Sequence, residues 1–210
     1  MEKIEEKKNI GILGGTFNPV HCGHIRMAQV ALKSGLIDTV AFLPLSIAPH
    51  KNNMYIADKE DRYNMLMLAT KNEEKFQVWR DEIDREGYTY TIDSLKILKN
   101  KFPQYNFIYI IGSDTIFELY KWKNISKVFM LCEFLVIFRP GTDIKAVKDK
   151  ICEYEKEYGA KIRIIEEKGY KAESSAIRVA LINGEDTENV LPSTVYDYIL
   201  THKLYGAKNE

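Results

Sequence analysis

Cysteine is scarce: three residues, at positions 22, 132 and 152, in a chain of 210. An odd number with no metal-ligand spacing argues against a disulfide framework, favours a reducing cytoplasm and points to no metal site. Surplus charge is absent too, since 30 Lys and Arg balance 30 Asp and Glu. A general nucleic-acid coat needs a cationic excess to displace phosphate counterions, so nucleic acid is not an expected partner. The same balance argues against an acidic disordered tail. Long apolar runs are also missing. The longest, Val128–Phe138, is interrupted by Glu133 and is too short to span a bilayer, so no membrane partner is expected. The opening stretch, Met1 to Lys8, mixes charges of both signs and holds no signal-peptide core. Internal repeats and low-complexity segments are absent.

What is present suits a folded enzyme-sized domain. Hydrophobic residues make up 45% and charged residues 29%, enough apolar mass for a sizeable core. No composition shift marks a boundary, so a single domain over 1–210 is expected, with its core at 9–205; a homo-oligomer stays open. Apolar runs at 9–14, 39–43, 76–79, 106–111, 134–138 and 161–165 read as strands. Helical patterns at 24–33, 58–70, 91–102, 144–158, 174–182 and 193–200 fall between and after them, with Asp58 as an N-cap and a proline-bearing loop over 45–57. This alternation predicts an α/β fold: a Rossmann-like, doubly wound parallel sheet, closed by C-terminal helices. Such sheets bind ligands beyond the carboxyl ends of their strands, so the chemistry is expected after strands one, two and four and near the last crossover.

The residues at the first of these places are Gly14-Gly15-Thr16-Phe17-Asn18-Pro19-Val20-His21-Cys22-Gly23-His24. A strand runs into two glycines and then into a helix start. Gly14 and Gly15 allow close backbone approach and are expected to take positive φ. Free N–H groups at the helix start favour an anion. Two imidazoles three residues apart are placed to donate to the same phosphate oxygens. The segment has no Gly-Lys-Ser/Thr of a Walker loop and is not the dinucleotide-binding glycine fingerprint.

With these residues in view, the sequence resembles a family. The block is similar to the Gly-x-Phe-x-Pro-x-His-x-Gly-His signature of nucleotidyltransferases related to class I aminoacyl-tRNA synthetases. The second signature of that superfamily, Ser-Ser/Thr-x-x-Arg at the start of a late helix, is matched by Ser174-Ser175-Ala176-Ile177-Arg178. Between them, Ala48-Pro49-His50-Lys51, Gly87-Tyr88-Thr89-Tyr90-Thr91-Ile92-Asp93-Ser94-Leu95, Ile111-Gly112-Ser113-Asp114, Lys121-Trp122 and Arg139-Pro140-Gly141 most resemble the bacterial nicotinate-nucleotide adenylyltransferases. The match departs at Asn18, where Asp is common, and at Glu173 and Ala176, where Ile and a hydroxyl residue are usual.

The resemblance implies transfer of AMP from ATP to nicotinate mononucleotide, giving deamido-NAD and pyrophosphate, with Mg²⁺ accompanying ATP. It implies that His21, His24 and Arg178 are catalytic. The implied ATP contacts are Gly14, Gly15, Thr16, Phe17, Gly112, Asp114, Ser174 and Ser175 beside those three. Arg178 and Ser175 would hold the β- and γ-phosphates. Asp114 would accept from ribose hydroxyls, or cap the next helix, or both. The implied mononucleotide contacts are Lys51, Thr91, Trp122 and Lys123. Trp122 would stack on the pyridine ring, against the alternative of packing. Thr91 and backbone N–H groups near Trp122 and Lys123 would meet the carboxylate or phosphate. Lys51 reads equally as a phosphate contact or a solvated loop lysine. Trp79 reads as core and Cys22 as a packed small residue. A nicotinamide-preferring relative is not separated by these motifs, whereas a catalytically silent module is opposed by intact His21, His24 and Arg178.

Overall fold

The computed structural model describes residues 7–46, 56–139, 141–166 and 172–207. Its strands and helices run β1 (Lys8–Gly15), α1 (Cys22–Lys33), β2 (Thr39–Pro44), α2 (Lys59–Thr70), β3 (Phe76–Val78), α3 (Thr91–Lys101), β4 (Tyr105–Gly112), α4 (Ile125–Leu131), β5 (Glu133–Ile137), α5 (Ile144–Tyr158), β6 (Ile162–Ile165), α6 (Ser174–Asn183) and α7 (Ser193–Thr201). The six strands form one sheet in the order β3-β2-β1-β4-β5-β6. Every neighbouring pair is parallel, with Ile10 opposite Thr39 on one side of β1 and Phe107 on the other. Strand order reverses between β1 and β4, which is where a doubly wound sheet opens a crevice.

The period of two along each strand divides the core into two layers. On β4, Phe107, Tyr109 and Ile111 face α3, α4 and α5. Ile108 and Ile110 face the opposite layer, where α1, α2, α6 and α7 pack. Local signals set the helix ends. Asp58 caps α2 by accepting from the Glu60 N–H, as the sequence suggests. Asp143 does the same for α5, which stops where Gly159 takes φ +63°. Beyond the sequence reading lie α4 and a 3-10 helix over Thr115–Lys121. The apolar run Val128–Phe138 is thus divided between the end of α4 and β5. The loop read at 45–57 lies mostly outside the described residues. No helix among the described residues is long and apolar enough to cross a membrane.

One buried cation ties the loops at the sheet's carboxyl edge together. Arg62, on α2, is only 1% exposed. Its Nη1 donates to the carbonyls of Thr16 at 2.9 Å and Leu45 at 2.6 Å, its Nη2 to Ser46 at 2.8 Å, and its Nε to Ala57 at 3.1 Å. Burial holds the guanidinium pKa below its usual value, opposed by Tyr205 and Asp58. The side chain therefore joins the turn after β1, the segment after β2 and the approach to α2. Arg62→Leu strands those carbonyls without donors, and a loss of about 3 kcal/mol or more is expected from urea denaturation.

Candidate active site

A cleft of about 310 Å³ opens at the carboxyl ends of β1 and β4. Its walls come from Gly14, Gly15 and Thr16 after β1, His24 on α1, Thr89–Thr91 before α3, Ile111 and Gly112 on β4, Trp122 and Lys123, and Arg139 after β5. Residues far apart in sequence are thus assembled by strand order alone.

The two glycines serve a purpose different from the one expected. Neither takes positive φ; the left-handed residue of the turn is Phe17, at φ +50°. Gly14 is required by a neighbour instead, because a Cβ there would lie 2.2 Å from the Tyr109 hydroxyl. At Gly15 a Cβ would press on the Phe17 ring at 3.2 Å. Phe17 itself is buried and meets His24 edge-on, with ring centroids 4.9 Å apart. It braces the imidazole from within the core.

The histidines are not equivalent. His24 lines the cleft, whereas His21 is 2% exposed and stacks against it, centroids 3.7 Å apart and 20° from parallel. The His21 backbone N–H donates to His24 Nδ1 at 3.3 Å. That bond makes Nδ1 the acceptor, so a neutral His24 carries its proton on Nε2. His21 Nδ1 has no hydrogen-bond partner among the described residues. Burial, reinforced by the Arg139 cation, lowers the His21 pKa to about 4. Its ring is therefore a neutral support under His24.

The second motif docks on the first. The Ser174 hydroxyl donates to the Pro19 carbonyl at 3.0 Å, and Arg178 Nη1 to the Asn18 carbonyl at 2.8 Å. Asn18 Oδ1 accepts from the Ala57 N–H at 2.9 Å and from the Tyr205 hydroxyl at 2.8 Å. Arg178 lines a neighbouring hollow with Ile56, Ala57 and Tyr205, and Ser175 is exposed beside it. Arg178 and Ser174 thus reach the turn without lining the main cleft. His50 and Lys51 lie outside the described residues.

Across the crevice, Asp114 precedes the 3-10 helix, but its side chain makes no capping bond. The carboxylate pairs instead with Arg139 Nη1 at 3.1 Å. Gly112 makes room for this pair, since a Cβ there would lie 2.5 Å from Asp114 Oδ1 and 2.7 Å from Arg139 Nε. Arg139 is a cleft cation to which the Arg139-Pro140-Gly141 segment gives no role by sequence alone. Its position at the end of β5, beside β4, is the signal that would have found it.

At the far end, Trp122 faces the cleft while packing edge-on against Tyr109, centroids 5.5 Å apart. Trp122 thus packs against the core on one edge and lines the cleft with the rest of its ring. Its backbone N–H is not available to a ligand, because it donates to the Leu119 carbonyl at 2.9 Å. The Lys123 ammonium lies 3.6 Å from the Asp93 carboxylate and 4.1 Å from the Tyr90 ring centroid. Trp79 packs between Phe102 and Phe107, as core. Burial raises the Cys22 thiol pKa, which suits a packed residue rather than a nucleophile. Among the described residues, no three His, Cys, Asp or Glu side chains converge to hold a metal ion.

Residues 12–180 match the family model described as Cytidylyltransferase-like. A Thermoanaerobacter sp. (strain X514) protein named "Probable nicotinate-nucleotide adenylyltransferase" is 34% identical over 208 residues, covering 99% of each chain. A Bacillus cytotoxicus protein of the same name is 37% identical over 198 residues, 94% of this chain and 98% of its own. Among solved structures, the Plasmodium falciparum nicotinic acid mononucleotide adenylyltransferase complexed with NaAD superposes with a TM-score of 0.78 at 23% identity, covering 97% of this chain and 100% of that one. The same enzyme complexed with APC gives 0.75 at 22% identity, with the same coverage. These two likenesses establish the shared fold.

The His21 environment has a measurable consequence. Below pH 6.5 the unfolded chain takes up a proton that folded His21 refuses until about pH 4. Its contribution to stability therefore falls as pH drops through that window, by up to about 3 kcal/mol. NMR titration of the ring is expected to show a midpoint near 4; a midpoint at the ordinary histidine value would contradict the buried, neutral ring.

Proposed function

The chain belongs to the nicotinate-nucleotide adenylyltransferases, within the cytidylyltransferase-like family, and from that premise we propose that it transfers AMP from ATP to nicotinate mononucleotide, giving deamido-NAD and pyrophosphate. The observation that carries this assignment of roles is His24, oriented by the His21 N–H and facing a cleft at the switch point of the sheet.

A phosphate oxygen of the mononucleotide attacks the α-phosphorus of ATP. The new P–O bond forms as the bond to the β-phosphate oxygen breaks, and pyrophosphate departs opposite the attacking oxygen. A phosphate monoester is largely ionised near neutral pH, so no strong general base is needed. The protein's task is positioning and charge stabilisation. His24 Nε2–H donates to the ATP phosphates, with His21 stacked behind it as a positioning residue. Thr16 and the backbone of Gly14 and Gly15 receive the nucleotide where the sheet comes closest. Arg178 keeps one nitrogen on the Asn18 carbonyl and offers its remaining N–H groups, with the Ser175 hydroxyl, to the β- and γ-phosphates, while Ser174 holds the helix start to the Pro19 carbonyl. Asp114 accepts from the ribose, and Arg139 adds a second cation beside it.

The cleft's charged and ring donors, His24, Lys123 and Arg139, suit phosphate, and among the described residues no carboxylate lines the cleft to hold a cation. Mg²⁺ would accompany ATP as part of the substrate and would supply charge neutralisation for the leaving pyrophosphate. The pyridine ring lies against Trp122, with Thr91 and Lys123 at its polar edge.

Pyrophosphate release tests the proposal directly. With ATP, nicotinate mononucleotide is expected to be a better substrate than nicotinamide mononucleotide or phosphopantetheine, and a different ranking would overturn the assignment. In the same assay His24→Ala should lower kcat by about a hundredfold or more with the circular dichroism spectrum unchanged; near-normal turnover would remove His24 from the mechanism.

Trp122→Ala separates stacking from packing. The expected outcome is a mononucleotide KM raised about tenfold with the ATP KM spared. Equal loss for both substrates would assign Trp122 to packing alone.

A further inference from the structure

Behind one wall of the cleft sits a carboxyl group that the reaction above does not use. Glu82 lies in the turn between β3 and α3 and is only 2% exposed. Its Oε1 accepts a hydrogen bond from the Ser94 hydroxyl. Ser94 Oγ also lies 3.4 Å from the Tyr90 carbonyl and accepts from Arg85 Nη1 at 3.1 Å. Glu82 Oε2 is buried with no hydrogen-bond partner among the described residues, and so is Thr89 Oγ1 in the wall itself. Burial raises the pKa of the Tyr109 phenol, the Glu82 carboxylate reinforces that rise and Thr91 opposes it. Thr89, Tyr90, Thr91 and Tyr109 all line the cleft at its Trp122 end. One carboxyl group therefore stands immediately behind the wall assigned to the pyridine ring, joined to it through Ser94 and Tyr90.

We infer that Glu82 is a specificity-determining residue: buried behind the Thr89–Thr91 wall with Oε2 unpartnered among the described residues, it sets how well that wall tolerates a pyridine ring bearing a carboxylate relative to one bearing an amide. This rests on the adenylyl-transfer reading and on the ring's place beside Trp122.

The electrostatics run in the required direction. Burial raises the Glu82 pKa to about 7, with Ser94 and Arg85 opposing and Asp81 reinforcing the shift. Arg85 and Asp81 belong to its own turn; β4 brings the Tyr109 phenol, and α3 brings the Ser94 hydroxyl. Below that pKa the group is neutral. Above it, a buried carboxylate faces the substrate's carboxylate across the wall, where weak screening makes the repulsion strong. An amide in the same place meets no such repulsion. The substrate's own phosphate titrates alike in both mononucleotides, so its effect cancels in the ratio of their kcat/KM values.

The test is that ratio, measured with the intact enzyme, ATP and each mononucleotide from pH 6 to pH 8.5. The acid-over-amide preference should fall about fivefold or more across this range in the wild type. In Glu82→Gln it should stay flat, since the isosteric amide cannot ionise. Ser94→Ala, which removes a hydrogen bond that favours the ionised form, should move the fall to higher pH. A flat ratio in the wild type, an unchanged slope in Glu82→Gln, or no upward displacement in Ser94→Ala would each overturn the inference. Absence of pyrophosphate release with both mononucleotides at every pH would sink the adenylyl-transfer reading itself and this inference with it.

Discussion

A guanidinium out of water needs acceptors for its donors, and among the described residues the fold supplies Arg62 with four backbone carbonyls. No carboxylate among the described residues forms an ion pair with it. The charge is spread over Thr16, Leu45, Ser46 and Ala57, so none of these loop segments can shift without leaving N–H groups unpaired. Thr16 belongs to the turn that carries His21 and His24, and Ser46 and Ala57 lie on either side of residues 47–55. The turn that leads from β1 to His21 is consequently held from behind by a cation that is itself sealed from solvent.

A division of labour between support and contact recurs across the cleft. His24 faces the ligand space while His21 and Phe17 hold its ring in one plane and one tautomer. The stack needs His21 to be neutral, and burial near Arg139 keeps it so. On the other side, Gly112 is small so that Asp114 and Arg139 can pair over the strand end. At the far end of the cleft, Trp122 faces the opening because Tyr109 and Phe134 fix its other edge. Catalysis by positioning requires this rigidity, since donors that had to reorganise would lose most of their effect.

The sequence makes the strands legible because buried parallel strands are apolar on both faces, and all six runs sit within a residue or two of their observed bounds. It does not reveal α4. That helix has seven residues, starts at a left-handed Asn124, and continues almost directly into β5 as one apolar run. His24 and the Ser174–Arg178 motif are legible because their spacing is local. The burial of His21 is not, since it depends on what packs beneath the turn. Arg139 and Glu82 escape a linear reading for the same reason: β5 becomes a neighbour of the cleft only through strand order, and a glutamate in a polar turn looks solvated until α3 covers it. Arg62 reads as an ordinary helix-surface cation, and only the carbonyls converging on it show otherwise.

The hydrogen bonds around Asn18 make a short turn answerable to distant sequence. The Asn18 carbonyl is held by Arg178, 160 positions away, and its side chain by Ala57 and by Tyr205, 187 positions away. A change that displaced α6 or the segment carrying Tyr205 would therefore be felt at the turn leading to His21 and His24, although no residue of that turn had been altered.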